Sequence, residues 1–190
     1  MSQRTEKAIA TSFKHLLQKK SLNKITISDI ANDCGINRMT FYYHFRDIYD
    51  LIEWICDEDA KAALEEIHGM DSWYDGMVRV ADTLYEDRTF IMGAFHSVER
   101  GKVEEYIHKV LSALFLDAVN ELDNGSTLPQ KDRQFLADFY TYAFGGILSQ
   151  WIMSGMEKDD EIRLVEALRT VVSGKLQPAV DAFVTKNEEA

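Results

Sequence analysis

The chain has 190 residues, 46% of them hydrophobic, and a formal net charge of −11. This length allows one or two compact domains with a buried core. Apolar runs are short and interrupted by charge, and the first seven residues lack the apolar segment of a secretory signal, so we expect no membrane partner. The two cysteines, Cys34 and Cys56, occupy apolar helical positions, which favours a reducing, cytoplasmic location without disulfides.

The charge is unevenly distributed along the chain. Residues 1–46 carry eight Lys and Arg against three Asp and Glu, a net of +5, whereas residues 47–190 carry 13 basic and 29 acidic residues, a net of −16. Such a division would orient the protein on a polyanion such as DNA, because the basic segment is attracted and the acidic one repelled. Chance segregation of charge is the alternative.

The first predicted helix covers about residues 5–20. Ile9, Phe13 and Leu16 belong to an apolar stripe at helical spacing, and lysines lie on the opposite side. We expect this helix to pack on the two that follow. Its lysines could contact phosphates or simply face solvent.

The strongest local pattern lies in residues 25–45. Thr26 followed by Asp29 predicts a capping box that begins a short helix, and Gly35 can adopt the left-handed conformation that ends it. Between these two points, apolar residues recur three and four apart. They are Ile27, Ile30, Ala31 and Cys34.

A second short helix follows the turn. Asn37 can cap it, and Phe41 and Phe45, four residues apart, would both point inward. Two short helices joined by a three-residue turn form a helix-turn-helix, whose second helix enters the major groove of DNA.

The outward side of this second helix carries groups suited to DNA. Arg38 is placed to donate two hydrogen bonds to guanine, and Met39 could contact a thymine methyl group. Nearby hydroxyl, imidazole and guanidinium groups suit phosphate oxygens. Unrelated polar surface groups are the alternative, which explains each residue but not the set. The predicted DNA-binding residues are Thr26, Ser28, Asn37, Arg38, Met39, Thr40, Tyr42, Tyr43, His44 and Arg46.

The segment ITISDIANDCGINRMTFYYHF, followed by a helix that begins DIYDL at residue 47, resembles the DNA-binding domain of the TetR family of bacterial transcriptional regulators. The resemblance covers about residues 5–55. It implies an all-α fold, with a three-helix DNA-binding head that contains the helix-turn-helix and a larger helical bundle for regulation and dimerisation. We place the head at residues 1–46 and the larger domain at residues 47–190.

One position departs from the family pattern. The family often has a lysine at the position of Ile48, where it contacts a phosphate, and an isoleucine cannot make that contact. Arg46 and the N-terminus of the helix then remain for it. This fourth helix is expected to reach about residue 68, with Asp57-Glu58-Asp59 on a solvated face or, alternatively, in a metal site.

Three further helices are predicted between residues 71 and 122. A break at Gly69 precedes the first, Asp87 can cap the second, and Gly101 separates the second from the third. Their aromatic and sulfur-bearing side chains could line an effector pocket, although ordinary core is the alternative for each. The predicted pocket residues are Trp54, Trp73, Met77, Phe95, His96 and Tyr106.

Residues 135–153 are nearly apolar all round, which is typical of a central core helix or a subunit interface. Gly155 is expected to end this helix, and Gly174 and Pro178 to set apart a last short one. In the TetR family the last two long helices form a four-helix dimer interface, so we place it on residues 135–153 and 160–173. The predicted interface residues are Tyr142, Gly146, Ile147, Gln150, Trp151, Leu168 and Val172.

Catalytic patterns are absent from the sequence. It contains no glycine-rich phosphate loop, nucleophile elbow, HExxH or paired-cysteine zinc motif, and its five histidines are scattered. Glu104 and His108 have a spacing seen in metal sites, but a surface pair is the simpler interpretation. We therefore predict no enzyme activity, no cofactor and no metal.

The resemblance implies a sequence-specific DNA-binding regulator: a repressor that binds an inverted-repeat operator as a homodimer and is released by an unknown small-molecule effector. The segments DIYDLIEWIC and YAFGGILSQWIMSGM are similar to those of dihydroxyacetone-kinase regulators within the family. That similarity implies an alternative, an activator or co-regulator controlled by a protein partner that docks on the helical body.

Overall fold

The computed structural model describes residues 2–67, 73–97, 99–123, 128–172 and 176–188. Within these ranges every regular element is a helix, so the all-α prediction is confirmed. The α-helices are α1 (Ser2–Leu17), α2 (Ile27–Cys34), α3 (Arg38–His44), α4 (Ile48–Ile67), α5 (Trp73–Glu86), α6 (Arg88–Phe95), α7 (Arg100–Leu122), α8 (Gln130–Met153), α9 (Lys158–Val172) and α10 (Leu176–Glu188), and a 3-10 turn spans Leu22–Lys24.

The chain forms two compact units. Unit 1 contains residues 1–59 and 87–104, and therefore holds α1 to α3, much of α4, α6 and the first residues of α7. Unit 2 contains residues 60–86 and 105–190. The predicted boundary between residues 46 and 47 is a different division of the chain and stays a prediction.

Helix α1 is the central element of unit 1, since it contacts α2, α3 and α6. Ile9 and Phe13 are fully buried, and the Phe13 ring meets Phe90 of α6 edge to face with centroids 6.4 Å apart. Ile30 of α2 and Phe41 of α3 are also fully buried. Since burying one such side chain stabilises a fold by about 1.5–3 kcal/mol, this apolar contact holds the two short helices on α1.

The core of unit 2 includes packed aromatic rings of α5, α7 and α8. Phe115 of α7 lies 4.9 Å from Phe144 of α8, and Trp151 of α8 stacks on Tyr85 of α5 with centroids 6.4 Å apart. A separate apolar cluster joins α7, α8 and α10. Its buried members are Ala118, Val119, Leu128, Leu136, Leu176 and Val180.

Two predicted helix breaks are wrong. Gly101 is the second residue of α7, and Pro178 is the third residue of α10. Both lie in a first turn, where backbone amides have no acceptor within the helix, so proline costs no hydrogen bond there. Gly155, with φ +104°, does follow the end of α8 as predicted. The breaks at Gly69 and Gly174 lie outside the described residues.

Both cysteines are free thiols. Cys34 is partly exposed at the end of α2, whereas Cys56 of α4 is only 4% exposed. Burial, followed by the charge of Asp59, raises the pKa of the Cys56 thiol to about 12. Cys56 is therefore an apolar core residue of unit 1.

Candidate nucleic-acid interface

Thr26 and Asp29 fix the start of α2, and the predicted capping box is confirmed. The Asp29 amide donates to Thr26 Oγ1 (3.2 Å), while the Thr26 amide (2.8 Å) and hydroxyl (2.7 Å) donate to Asp29 Oδ2. Lys20 Nζ lies 2.8 Å from the same oxygen, and Lys20 and Thr26 lower the pKa of Asp29 to about 2. The Thr26 hydroxyl is thus already both donor and acceptor, and its predicted phosphate contact would have to replace the bond to Asp29.

Gly35 makes the turn between the two short helices. Its φ of +72° lies in the left-handed region, and its amide donates to the carbonyl oxygens of Ala31 and Asn32. No atom lies within 4 Å of the place where a Cβ would be, so glycine is required here for its backbone conformation and not for space.

Helix α3 is capped at one end and anchored on one face. The Thr40 amide donates to Asn37 Oδ1 at 3.0 Å, so the predicted Asn37 cap is confirmed. Phe41 is fully buried and Phe45 is 3% exposed, and Phe45 packs edge-on against Trp54 of α4 with ring centroids 5.8 Å apart. These two anchors fix which side of α3 faces outward.

The outward side of α3 carries large side chains. Met39 is 73% exposed, Tyr42 44% and Tyr43 84%, and Arg38 is exposed at the first helical residue. Thr40 is half-buried beside them. So much apolar and aromatic surface on a seven-residue helix is typical of a binding site. Ser28 of α2 is half-buried, and the DNA contacts of the whole set stay predictions.

His44 does not lie on this outward side. Its side chain is only 7% exposed, and Nδ1 lies 3.2 Å from Glu6 Oε1 of α1. The expected outward or edge position is therefore corrected, because Glu6 supplies a polar partner in the interior of the head. In this position His44 orients α3 against α1, and its DNA contact stays a prediction.

Arg46 lies on the surface just before α4, with its side chain 83% exposed. Its guanidinium donates to Asp50 Oδ1 at 3.1 Å, and its amide donates to Asp50 Oδ2 at 2.9 Å. The Asp50 amide in turn donates to Asp47 Oδ1 at 2.9 Å. A phosphate at this helix start would therefore meet Arg46 together with two carboxylates, which weakens the contact predicted there.

Lys14 has a role that the sequence analysis missed. Its Nζ contacts Asp59 Oδ2 of α4 at 3.0 Å and Asp87 Oδ2, and it lies 5.1 Å from the Phe90 ring centroid. Burial lowers the pKa of Lys14, but the two carboxylates more than offset this and raise it overall, while burial raises the pKa of Asp59. Lys14 thus joins α1 to α4 and α6 and is not presented to DNA.

Two sequence predictions are corrected by this cluster. Asp59 is not on a solvated face, since it is partly buried against Lys14. Asp87 does precede α6, but its side chain makes no capping hydrogen bond to that helix and contacts Lys14.

The predicted effector-pocket residues fall in both units. In unit 1, Trp54 is half-buried, Phe95 is buried with the Arg100 guanidinium 4.6 Å from its centroid, and His96 is exposed at the end of α6. In unit 2, Met77 and Tyr106 are buried. The side chain of Trp73 lies outside the described part of the chain. The predicted pocket stays a prediction.

Most of the predicted interface residues of α8 share one exposed face. Tyr142 is 69% and Ile147 37% exposed, and Gly146 and Gln150 are exposed beside them. Trp151 is not on this face, because its ring stacks on Tyr85 and its Nε1 donates to the Glu157 carbonyl at 3.3 Å.

Three further exposed residues of the α8 face lie within the predicted interface segment 135–153, although they are not among the seven residues predicted individually. Phe135, Phe139 and Met153 are each 57–59% exposed. Successive separations of four, three and four residues between Phe135, Phe139, Tyr142 and Gly146 place these residues on one face of the helix. The side chains of Leu168 and Val172, predicted for the same interface, lie outside the described residues.

Neither a metal cluster nor a membrane helix is found in the described ranges. No group of three or more His, Cys, Asp or Glu there could hold a metal ion. None of the helices described is both long and apolar enough to cross a bilayer.

Comparison with family models gives two matches. The model described as "Bacterial regulatory proteins, tetR family" matches residues 14–55, which contain the capping box, the Gly35 turn and α3. The model described as "Transcriptional regulator C-terminal region" matches residues 71–173, more than half of the chain.

One curated relative is the "HTH-type dhaKLM operon transcriptional activator DhaS" of Lactococcus lactis subsp. lactis. It is 30% identical to this chain over 91 residues, which are 48% of this chain and 49% of that protein. The match thus spans about half the length of the relative.

Solved structures share the fold over nearly the whole chain. The "Dihydroxyacetone kinase operon activator DhaS" has a TM-score of 0.71 at 23% identity, covering 94% of this chain and 97% of that one. A TetR transcriptional regulator from Rhodococcus sp. RHA1 has a TM-score of 0.59 at 14% identity, with 92% and 100% covered. The fatty acid degradation regulator FadR from Bacillus halodurans has a TM-score of 0.56 at 15% identity, with 94% of each chain covered.

Proposed function

This chain belongs to the TetR family of bacterial transcriptional regulators, which are not enzymes, and we propose that it binds an inverted-repeat operator in double-stranded DNA as a homodimer. Each copy places α3 in a major groove, and the two half-sites lie about 34–36 Å apart. The site of action is the bacterial cytoplasm, where the chromosome lies.

The outward side of α3 is the observation that carries this proposal. Arg38, Met39, Tyr42 and Tyr43 project from a helix whose start is capped by Asn37. Arginine can donate two hydrogen bonds to guanine, methionine can cover a thymine methyl group, and tyrosine hydroxyls can donate to phosphate oxygens. A rigid helix presents these groups in one arrangement, which sequence-specific recognition requires.

The exposed face of α8 supports the homodimer. Phe135, Phe139 and Tyr142 would be covered by the same face of a second copy, as in an isologous interface. Gly146 supports this arrangement too. It is exposed in the helix interior with no atom within 4 Å of an added Cβ, and such a glycine costs about 1 kcal/mol relative to alanine. Close approach of a partner helix would explain its presence.

Repression with release by a small-molecule effector is our first hypothesis for the regulatory response. A ligand that prefers a conformation of the body incompatible with operator binding would shift the equilibrium off DNA. Activation is the second candidate, because the Lactococcus relative is named as a transcriptional activator. In that case a protein partner docking on the helical body would be the controlling signal.

Selection from a random duplex library tests the proposal directly. Bound sequences should converge on an inverted repeat, and a gel shift should show at least 100-fold tighter binding to that repeat than to a duplex with one half-site scrambled. Scrambling a half-site should weaken binding this much because each mismatched base pair costs about 1–3 kcal/mol of binding free energy. Equal affinity for both duplexes would contradict the proposal. A reporter gene placed behind the selected operator then gives the sign of regulation.

A further inference from the structure

Unit 1 contains a cavity of about 900 Å³ beside the predicted DNA-binding surface. It is bounded by the end of α1, the connection from α1 to α2, the first residue of α2, the first turn of α4 and one side of α6. Its volume falls in the range of about 300–1,000 Å³ that is typical of sites for small organic molecules. All of its lining residues belong to unit 1.

The walls of the cavity are mainly apolar. Four of the lining residues are Leu17 of α1, Ile25 before α2, Ile48 of α4 and Met92 of α6. Ile48 is the residue that stands where the TetR family often has a phosphate-binding lysine. Within this chain an apolar side chain at that position extends the cavity wall.

The polar groups of the lining indicate the charge of a fitting ligand. Lys20 is already paired with Asp29 at 2.8 Å, and Asp47 already accepts a hydrogen bond from the Asp50 amide at 2.9 Å. An ionic ligand would have to compete with these internal partners or remain unpaired, which is costly in an apolar site.

A neutral ligand brings no charge that must be paired inside this apolar site. The remaining polar groups of the lining are hydroxyl, amide and imidazole groups, which suit a neutral donor or acceptor. They belong to Ser21, Asn23, Tyr49, Thr89, His96 and Ser97. The Ser21 hydroxyl already donates to Asn23 Oδ1 at 2.9 Å, and the Ser97 hydroxyl already donates to the Ala94 carbonyl at 2.6 Å.

Gly93 keeps part of this space open. It lies inside the eight-residue helix α6, where glycine is less favourable than alanine. Its φ is not in the left-handed region, and a Cβ added there would meet only Leu17 Cδ2, at 3.7 Å, which is ordinary contact. Neither backbone conformation nor crowding requires a glycine, whereas a longer side chain at residue 93 would enter the cavity.

We propose that this cavity binds a neutral amphipathic small molecule that regulates DNA binding. Its apolar body lies against Leu17, Ile25 and Met92, and a hydroxyl or carbonyl group bonds to Thr89 of α6 or to His96 just after it. Such a molecule touches the end of α1 and the starts of α2 and α4 together with α6, so its binding is coupled to the position of α2 and α3 against α6. The regulatory part of this proposal rests on the proposed operator binding.

Binding is tested on the full chain with two fluorescent probes, neutral 6-propionyl-2-dimethylaminonaphthalene and anionic anilinonaphthalene sulfonate. We expect saturable binding of the neutral probe with blue-shifted emission, and at least 10-fold weaker binding of the anionic one. Gly93→Leu, which fills the cavity from α6, should weaken the neutral probe at least 10-fold. Gly93→Ala is the matched control and should bind as wild type does. Ser21→Trp fills the cavity from the connection between α1 and α2, and it replaces Gly93→Leu if circular dichroism shows that Gly93→Leu does not fold.

Several outcomes overturn the proposal. These are no saturable binding of the neutral probe to wild type, preference for the anionic probe, or unchanged binding by a folded cavity-filling variant. The coupling is tested separately, by a gel shift on the selected operator. The neutral probe should change operator affinity at least threefold in wild type and Gly93→Ala but not in the filling variants, and no change in wild type removes the regulatory role. If the chain binds no operator but binds the neutral probe as expected, the proposed function is wrong and the proposed small-molecule site is still supported.

Discussion

Helices α3 and α8 both expose large aromatic side chains, but the chemistry around them differs. On α3, Tyr42 and Tyr43 carry hydroxyls and follow Arg38 on a segment whose net charge is +5. On α8, Phe135 and Phe139 have no polar atoms in their side chains and are 57% and 59% exposed. Exposed aromatic area alone therefore does not identify a partner. Polar atoms at the ring edge and nearby cations favour a hydrated, charged partner, whereas a face made mainly of phenylalanine, with the Tyr142 hydroxyl as its polar ring atom, favours a drier protein interface.

The two helices are also held in different ways. Helix α3 has seven residues, too few to be stable alone, and depends on the Asn37 cap and on Phe41. Helix α8 has 24 residues and no side-chain cap, and its buried residues, among them Phe144 and Ile152, fix it in unit 2. Removing a local hydrogen bond should therefore destabilise α3 most, whereas removing buried apolar area should destabilise α8 most.

Salt should separate the two surfaces most strongly. Raising salt from about 50 to 200 mM should lower operator affinity on the order of 10³-fold, because a dimer with some six phosphate contacts releases that many counterions. The α8 interface is apolar, so its dissociation constant should change less than about twofold. Gel shifts and sedimentation equilibrium over the same salt series measure both. If the dimer dissociation constant rises with salt as steeply as operator affinity falls, the proposed assignment of α3 to DNA and α8 to the dimer interface is wrong.

A charge in the centre of the α8 face is the next largest perturbation. Phe139→Asp should raise the dimer dissociation constant at least about 100-fold, because unpaired carboxylates would be buried against the partner at about 3–5 kcal/mol each. Sedimentation equilibrium measures the change, and operator affinity should fall with it. Gln130→Asp adds the same charge at the first residue of α8 and should leave the dimer intact. Unchanged dimerisation of Phe139→Asp would place the interface elsewhere.

Substitutions on α3 should weaken DNA binding and leave dimerisation alone. Arg38→Ala should lower operator affinity about 10- to 100-fold, since a bidentate contact to a base contributes about 1–3 kcal/mol. Tyr42→Phe, which removes one hydrogen bond, should cost about fivefold. Lys131→Ala removes the same charge from α8 and controls for the change in net charge. Normal gel shifts for both α3 variants would mean that the recognition helix is misassigned.

The smallest expected effect is on stability and comes from the capping box at the start of α2. The folded pKa of Asp29, about 2, is below its ordinary value of 3.8, so its carboxylate stabilises the fold above pH 3.8, and this contribution is lost as the pH falls through about 2. Asp29→Asn should therefore lower the free energy of unfolding at neutral pH, and the difference from wild type should shrink as the pH falls below 3.8. Urea unfolding over this range measures it. An equal deficit at every pH would show that charge is not the cause, and Asp159→Asn, an exposed carboxylate of α9, is the control.

The sequence predicted the parts of the site that depend on neighbouring residues. The Thr26 and Asp29 capping box, the Gly35 turn and the inward Phe41 each involve residues within four positions of one another. At such short separations the geometry of the helix determines which residues are in contact. These predictions are confirmed by the structure. The DNA contacts themselves stay predictions.

Contacts between distant residues were not predicted. Lys14 lies 45 residues from Asp59 and 73 from Asp87, and no periodicity relates them. His44 was expected at the surface because its partner Glu6 is 38 residues away. For Trp151 the difficulty was different. Helix α8 is apolar on most sides, so the pattern could not distinguish the side that meets Tyr85 from the exposed one.

The burial of Cys56 has a consequence for redox chemistry. Thiolates, not thiols, react with peroxides and alkylating agents, and a pKa raised by burial to about 12 keeps the Cys56 thiol protonated at neutral pH. Oxidation would place a polar group among the buried residues beside Lys14 and Asp59 and break the packing of α4. The apolar environment that keeps Cys56 protonated therefore also protects α4 against oxidants.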